Sequence, residues 1–107
     1  QFRKFFWHRA HLFYFTKETI TALCNKVGFQ LEITCRHNYT LKNYLNWYYT
    51  GKPQSGLVVG QTETDLFEGK DDFEKSINQL FARIEEDFKS IMANNFCGDS
   101  LCCLGHL

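Results

Sequence analysis

A chain of 107 residues with 44% hydrophobic and 22% charged side chains has the composition of one soluble globular domain, so residues 1–107 are taken as a single domain. Its 12 basic and 12 acidic side chains give a formal net charge of zero, which argues against a nucleic-acid partner held by electrostatics. No apolar run is long enough to span a bilayer and no signal-peptide pattern occurs, so neither a membrane partner nor secretion is expected.

The chain contains an odd number of cysteines, namely Cys24, Cys35, Cys97, Cys102 and Cys103. Cys24 and Cys35 fall on the apolar faces of periodic segments, which favours buried thiols in a reducing compartment and hence a cytoplasmic location. A metal site that joins the three C-terminal cysteines to His106 is the alternative, but its spacing matches no zinc pattern. Because neighbouring strand residues point to opposite faces, Cys102 and Cys103 are poorly placed to bind one ion. We therefore predict reduced, metal-free cysteines.

Residues 1–15 are basic and rich in aromatic side chains, with no clean periodicity. Such crowding favours packing within the chain, although the segment could instead line a pocket or cover a partner. A helix is predicted next, over about 17–27, because Thr16 suits the N-cap and apolar residues then recur every three or four positions. Gly28 suits its left-handed end. Residues 29–36 alternate apolar and polar side chains, which predicts a strand with one buried face.

A second helical pattern runs from Leu41 to Tyr48, and its apolar stripe, which includes Tyr44, is predicted to pack in the core. Gly51 ends this helix in the left-handed conformation that favours glycine. The following residues, as far as 64, are rich in Gly, Ser, Thr and Gln and predict a loop.

A long amphipathic helix is predicted over about 71–94, with Asp71 or the residues just before it as the cap. Its apolar side chains form one continuous stripe that we predict to be core: Phe73, Ile77, Leu80, Phe81, Ile84, Phe88, Ile91 and Met92. Glu85, Glu86 and Lys89 are assigned to the face in contact with solvent, where Glu85 and Lys89 are spaced for an i,i+4 ion pair.

The last predicted element is a short strand over 100–106 whose side chains are apolar on both faces. Such a strand is typical of the middle of a sheet, buried on both sides. We predict that it pairs antiparallel with 29–36, which gives an α+β fold of one antiparallel strand pair with two to three helices. Its other edge has no predicted neighbour, and bare edges recruit other strands. A homodimer through this edge is therefore expected, unless residues 1–15 cover it.

The spacing of the seven glycines bears on cofactor binding, because no two are separated by a single residue and none opens a helix after an apolar strand. A doubly wound sheet needs such a turn to bring its backbone close to a nucleotide-type cofactor. The sequence therefore predicts no cofactor site of this kind, and no cofactor-binding residue is assigned.

Four segments, in a fixed order, carry a resemblance to a known family. An H-L-x-x-F-[ST] pattern is matched by His11-Leu12-Phe13-Tyr14-Phe15-Thr16, and a helix exit by Val27-Gly28-Phe29. An R-Y-P-L-S-N-H-L-Y-W-L-x-x-G-K-P insertion is similar to residues 38–47 with Gly51-Lys52-Pro53, and an x-C-D-T-L motif to Cys97-Gly98-Asp99-Ser100-Leu101. Together they resemble the C-terminal part of class I S-adenosylmethionine-dependent methyltransferases, over nearly the whole chain beyond residue 10.

The resemblance implies a Rossmann-like fold of which this chain holds the last two strands, with an insertion at about 38–70. It implies the acceptor-side portion of a methyltransferase, inactive alone because the family builds its cofactor site from earlier strands. S-adenosylmethionine is thus implied for the full-length family, and none is expected to bind this chain alone. The implied partner is the missing N-terminal cofactor domain.

Within this resemblance His11 is the candidate catalytic residue, because it follows the family's fifth strand, where cofactor and acceptor would meet. A neutral imidazole there could take a proton from a hydroxyl or an amine. A backbone hydrogen bond that anchors the next helix is the alternative role. The candidate acceptor-binding residues are His8, Tyr14, Tyr39 and Trp47, of which Tyr39 and Trp47 belong to the insertion and could form a lid.

Two other functions fit the sequence less closely. One is a non-enzymatic binding or assembly module that contacts a partner through the exposed sheet edge or the aromatic surface. The other is a zinc-binding domain, which depends only on the cysteine cluster. A glycine-rich strand–turn–helix in a longer reading frame upstream would favour the methyltransferase over the module.

Overall fold

The computed structural model of the chain describes residues 13–52 and 65–106. Three helices and two strands follow one another along this part of the chain: Lys17–Asn25 (α1), Gln30–Arg36 (β1), Leu41–Thr50 (α2), Asp72–Asn94 (α3) and Ser100–His106 (β2). The strands pair antiparallel in a two-stranded sheet. This confirms the predicted α+β class, with one antiparallel strand pair and three helices. None of the described helices is long and apolar enough to cross a bilayer.

Helix α1 begins and ends on local signals. The Thr16 hydroxyl accepts a hydrogen bond from the Thr19 amide at 3.3 Å, and the Thr19 hydroxyl accepts one from the Thr16 amide at 2.8 Å, which together form a capping box. At the other end Gly28 has a φ of +85°, and the Phe29 amide donates to the Cys24 carbonyl at 3.0 Å. Such a Schellman turn places a glycine where other residues are strained. The predicted cap and stop are both confirmed.

The register of the sheet places Ile33 opposite Cys103 and Cys35 opposite Leu101, so these apolar residues share one face. Helices α1 and α3 both pack against β1, and Cys35 is the one buried apolar side chain among the described residues. On strand β2, however, Leu104 is 58% exposed. The prediction that β2 is buried on both sides was therefore wrong, because within the described residues β1 is its sole neighbour in the sheet.

Gly98 allows β2 to start close against the end of β1. A Cβ atom at this position would overlap the carbonyl oxygen of Arg36 and would lie 2.8 Å from the sulfur of Cys35. Real Cβ atoms almost never approach this closely. Glycine is thus required here for space rather than for its backbone angles.

Helix α2 is held at its N-terminus by α3. Thr40 is fully buried, and its hydroxyl accepts a hydrogen bond from the Asn43 amide at 3.1 Å. The Leu41 amide donates to Oε2 of Glu85 at 2.7 Å, so a carboxylate from α3 meets the positive end of α2. The Lys89 ammonium lies 3.0 Å from the other oxygen, Oε1, which confirms the predicted i,i+4 ion pair, although its geometry is not that of a hydrogen bond.

The placement of Glu85 on the face in contact with solvent was wrong, because this side chain is only 8% exposed. The unsatisfied amides that begin α2 need an acceptor, and they draw the carboxylate beneath them. Its sequence neighbour Glu86 is exposed, as predicted.

The apolar stripe of α3 is only half covered. Ile77, Phe81, Phe88 and Met92 are half-buried, whereas the remaining members of the stripe stay exposed: Phe73, Leu80, Ile84 and Ile91. The prediction that the whole stripe is core was wrong, because a stripe this wide exceeds the surface that β1 and α2 offer it. On α2, the ring centroids of Tyr44 and Phe88 lie 5.5 Å apart, but Tyr44 is 49% exposed and Tyr48 is 75% exposed. The prediction that these two side chains pack in the core was therefore wrong.

Candidate functional site

A cavity of about 940 Å³ lies at one end of the sheet. Its walls come from the segment that leads into α1, from the residues just after β1 and from the residues that lead into β2. The aromatic side chains of this wall are Phe13, Tyr14, Phe15, Tyr39 and Phe96, and its charged side chains are Lys17, Glu18 and Asp99. The cavity is a broad groove that stays open to solvent, since Phe13 in its wall is 76% exposed.

The cavity occupies the carboxyl end of β1. Asn38 and Tyr39 come just after β1, and Ser100 and Leu101 begin the antiparallel strand β2, so both sets of residues lie at the same edge of the sheet. Because the two strands are antiparallel, the carboxyl end of β1 is also the amino end of β2.

Asp99 ties the two strands together at this edge. Its carboxylate accepts hydrogen bonds from the Asn38 amide at 2.9 Å, from the Asn38 side chain at 2.7 Å and from the Ser100 hydroxyl at 2.8 Å. The Asn38 side chain also donates to Ser100 Oγ at 3.1 Å. All three residues line the cavity, as does Tyr39, which directly follows Asn38 in the sequence.

Two predicted acceptor-binding residues, Tyr14 and Tyr39, line the cavity. Burial, and then the Asp99 carboxylate, raise the pKa of Tyr39 above its ordinary value. Tyr39 therefore remains a protonated phenol near neutral pH, which suits it to donate a hydrogen bond and not to act as a base. Trp47 is half-buried on α2 and is not part of the described cavity wall. The candidate catalytic residue His11 and the candidate His8 lie outside the described residues.

His37 comes directly after β1 and lies beside Phe88 of α3 and Asp99. Its ring meets the Phe88 ring edge-on with centroids 5.3 Å apart, and Nδ1 is 3.7 Å from Oδ2 of Asp99. Both ring nitrogens are buried, and neither has a hydrogen-bond partner among the described residues. Burial lowers the pKa of His37, as does Lys89 to a smaller extent, while Asp99 and Glu85 oppose the shift.

Stability is expected to fall as the pH is lowered from about 7.5 to 5.5. The pKa of His37 in the folded chain lies below the ordinary 6.5, so the unfolded chain binds more protons as the pH falls. The stability that neutral His37 contributes is therefore present above pH 6.5 and is lost as the pH falls through the folded pKa. Urea denaturation across this range measures the slope. A His37→Phe variant should flatten it, and the matched surface variant His106→Gln should keep it. An unchanged slope in His37→Phe would contradict this assignment.

Phe96 has a backbone conformation that is unusual for its side chain. Its φ is +52°, and the Phe96 and Cys97 amides donate to Ala93 and Met92 at 3.0 and 2.8 Å. α3 thus ends in the same Schellman turn as α1, with phenylalanine at the position that Gly28 occupies in α1. The Lys17 ammonium lies 4.5 Å from the centroid of the Phe96 ring. Both side chains line the cavity.

Sequence analysis missed Phe96, Lys17 and the network around Asp99. Asp99 was visible as part of the C-G-D-S-L motif, but its partner Asn38 is 61 positions away. The helix-end position of Phe96 could have been noticed after Asn94 and Asn95, which are common where helices stop.

The five cysteines are free thiols, with Cys35 buried and Cys24 half-buried. Within the described residues no group of three or more His, Cys, Asp or Glu side chains is gathered as a metal would require, so the C-terminal cysteines and His106 do not come together.

Compared with known proteins, the chain matches no protein-family model, no curated protein and no solved structure.

Proposed function

We propose that this chain is the acceptor-side portion of a class I S-adenosylmethionine-dependent methyltransferase. The observation that carries the proposal is the cavity at the carboxyl end of β1, which is lined by Tyr14 and Tyr39. The methyltransferase resemblance predicts both residues to bind the acceptor, with Tyr39 as part of a lid. The antiparallel pairing of β1 with β2 also agrees with the last two strands of that family.

The cofactor would be held by a preceding domain or a second chain, because the glycines of the described residues have other roles. Gly28, Gly51 and Gly69 adopt positive φ in turns, and Gly98 and Gly105 lie close against β1 and the residue before it. None of these glycines opens a helix after a strand, as a cofactor-binding turn requires. The residues present therefore do not fit S-adenosylmethionine, and we assign it no contacts in this chain.

The chain would contribute by positioning the methyl acceptor. Methyl transfer is helped mainly by holding the acceptor in line with the reactive methyl group. Tyr39 lies at the cavity wall beside the Asp99 network, and we infer that its phenol donates a hydrogen bond to the acceptor. His11 remains our proposed base for the acceptor proton. The odd number of cysteines supports a reducing, cytoplasmic setting.

The expected outcome of a first test is that this chain alone shows no micromolar binding of S-adenosylmethionine in titration calorimetry. A longer product of the same gene, or a complex with its partner, should bind the cofactor and transfer methyl groups. There, Tyr39→Phe should lower kcat/KM about tenfold without changing cofactor affinity, as expected for the loss of one positioned donor. Micromolar binding by this chain alone would overturn the proposal, and so would the absence of a glycine-rich strand–turn–helix from both the upstream sequence and the partner chain.

An assembly module is the second candidate, favoured by the exposed Leu104 on β2. Among the described residues β2 pairs with β1 along one edge and leaves its other edge without a strand. Two copies that paired through these edges would form a closed dimer. Light scattering at micromolar concentration should then report two chains, and Leu104→Lys should return one. A monomer at that concentration would remove this candidate.

A further inference from the structure

We propose that the cavity binds a small organic cation, an ammonium group carried on an apolar body, with the ring of Phe96 as its aromatic contact. The inference rests on the proposed function in one respect, since a nucleophilic group beside the ammonium, and not the ammonium itself, would be the methyl acceptor. The binding itself needs no methyl transfer and can be measured on this chain alone.

The backbone of Phe96 is strained. A left-handed conformation is unfavourable for a residue other than glycine, and α1 makes the same turn with Gly28. The side chain of Phe96 is 41% exposed, so burial does not explain why phenylalanine takes the place of glycine. Strain that is maintained at the wall of a cavity points to a role for the side chain.

The side chain of Lys17 places an ammonium group over the ring of Phe96. Its ammonium lies 4.5 Å from the centroid of the Phe96 ring, within the range of a cation–π contact. The face of this ring therefore already accepts an ammonium group inside the cavity. Lys17 is exposed and carried on a flexible stem, so a ligand ammonium can displace it into solvent.

Among the described residues, the cavity wall carries more negative than positive side chains. Glu18 and Asp99 oppose the single charge of Lys17, so the described wall is net negative. A hydrogen bond from its own backbone, and another from the Thr16 side chain, lower the pKa of Glu18, so it stays ionised near neutral pH. Displacing Lys17 makes the wall more negative still. This favours a cation over a neutral or anionic ligand.

The aromatic side chains account for the apolar body of the ligand. Phe13 and Phe15 stack with their ring centroids 6.2 Å apart, and with Tyr14 and Tyr39 they line the same cavity as Phe96. The volume of about 940 Å³ is far larger than one ammonium group needs. An aromatic or aliphatic amine of modest size therefore fits both the charge and the surface.

Three probes of similar shape and different charge test the proposal on this chain: phenethylammonium, 2-phenylethanol and phenylacetate. Amide chemical shifts of Lys17, Phe96 and Ser100, followed by NMR during titration, report binding at the cavity. The cation should bind about threefold to fivefold more tightly than the neutral alcohol, as expected for one exposed cation–π contact, and the anion should bind most weakly. Equal affinities for cation and alcohol would overturn the proposal.

Variants separate the ring of Phe96 from its backbone. Phe96→Gly relieves the left-handed strain, so the chain should stay folded while the preference for the cation disappears. Phe96→Leu keeps the strain and apolar bulk without the π face, and should bind cation and alcohol equally. Lys17→Met removes the competing ammonium and should raise cation affinity about threefold. An unchanged cation preference in both Phe96 variants would refute the proposal. None of these outcomes depends on S-adenosylmethionine, so the methyltransferase assignment can fail separately.

Discussion

Replacing Gly98 with alanine is expected to lower the free energy of unfolding by about 3 kcal/mol, a large share of the stability of a domain this size. The added methyl group would overlap the Arg36 carbonyl oxygen and lie 2.7 Å from its carbon. These atoms are backbone at the end of β1, where pairing with β2 holds them in place, so they cannot move aside as a side chain does. Urea denaturation followed by circular dichroism measures the change.

Gly28→Ala is the matched control for this experiment. Gly28 has a φ of +85°, and a Cβ atom built there meets nothing within 4 Å. Its substitution therefore carries the backbone cost alone, about 1 kcal/mol, whereas Gly98→Ala carries the steric overlap. Equal losses in the two variants would show that the ends of β1 and β2 are not held as closely as described.

Replacing Glu85 with alanine is expected to lower the free energy of unfolding by about 2–3 kcal/mol. The substitution removes the acceptor of the Leu41 amide at 2.7 Å and leaves Lys89 without its carboxylate at 3.0 Å. Both losses fall where α2 joins α3, so α2 should become the least protected helix in hydrogen exchange. Glu85→Gln keeps an acceptor oxygen for the Leu41 amide, so its free energy of unfolding should fall by roughly half as much as in Glu85→Ala.

The adjacent Glu86 supplies the control, since it is exposed on the same turn of α3. Glu86→Ala should change stability by no more than about 0.5 kcal/mol, the usual range for a surface substitution. If Glu85→Ala and Glu86→Ala proved equally mild, the carboxylate would not be holding the start of α2.

Local signals in the sequence were enough to predict the helices and strands. The caps at Thr16 and Asp71 and the stop at Gly51 each depend on neighbouring residues alone, and all three are confirmed. The alternation over 29–36 likewise predicted β1 and its more buried face. Such features need no knowledge of the rest of the fold.

Features that depend on distant residues were not predictable. Glu85 has the helical position of a surface residue, and only the arrival of α2 above it explains its burial. The exposed half of the α3 stripe reflects how little of the described chain packs against it. In the candidate site, Tyr14 and Tyr39 line the cavity, and their role in acceptor binding stays a prediction. Phe96 and Asp99 depend on backbone and pairing details that one sequence does not show.

The pairing of β1 with β2 also determines when the chain can fold. Arg36 pairs with Ser100 and Gln30 with His106, so more than half of the sequence separates every pair in the sheet. Closing so long a loop costs entropy before any contact is gained, and non-local pairing of this kind slows folding. During synthesis β1 emerges before β2 and waits without its partner until β2 is made. In that interval α1 and the alternating strand after it are the segments most exposed to aggregation and to chaperones.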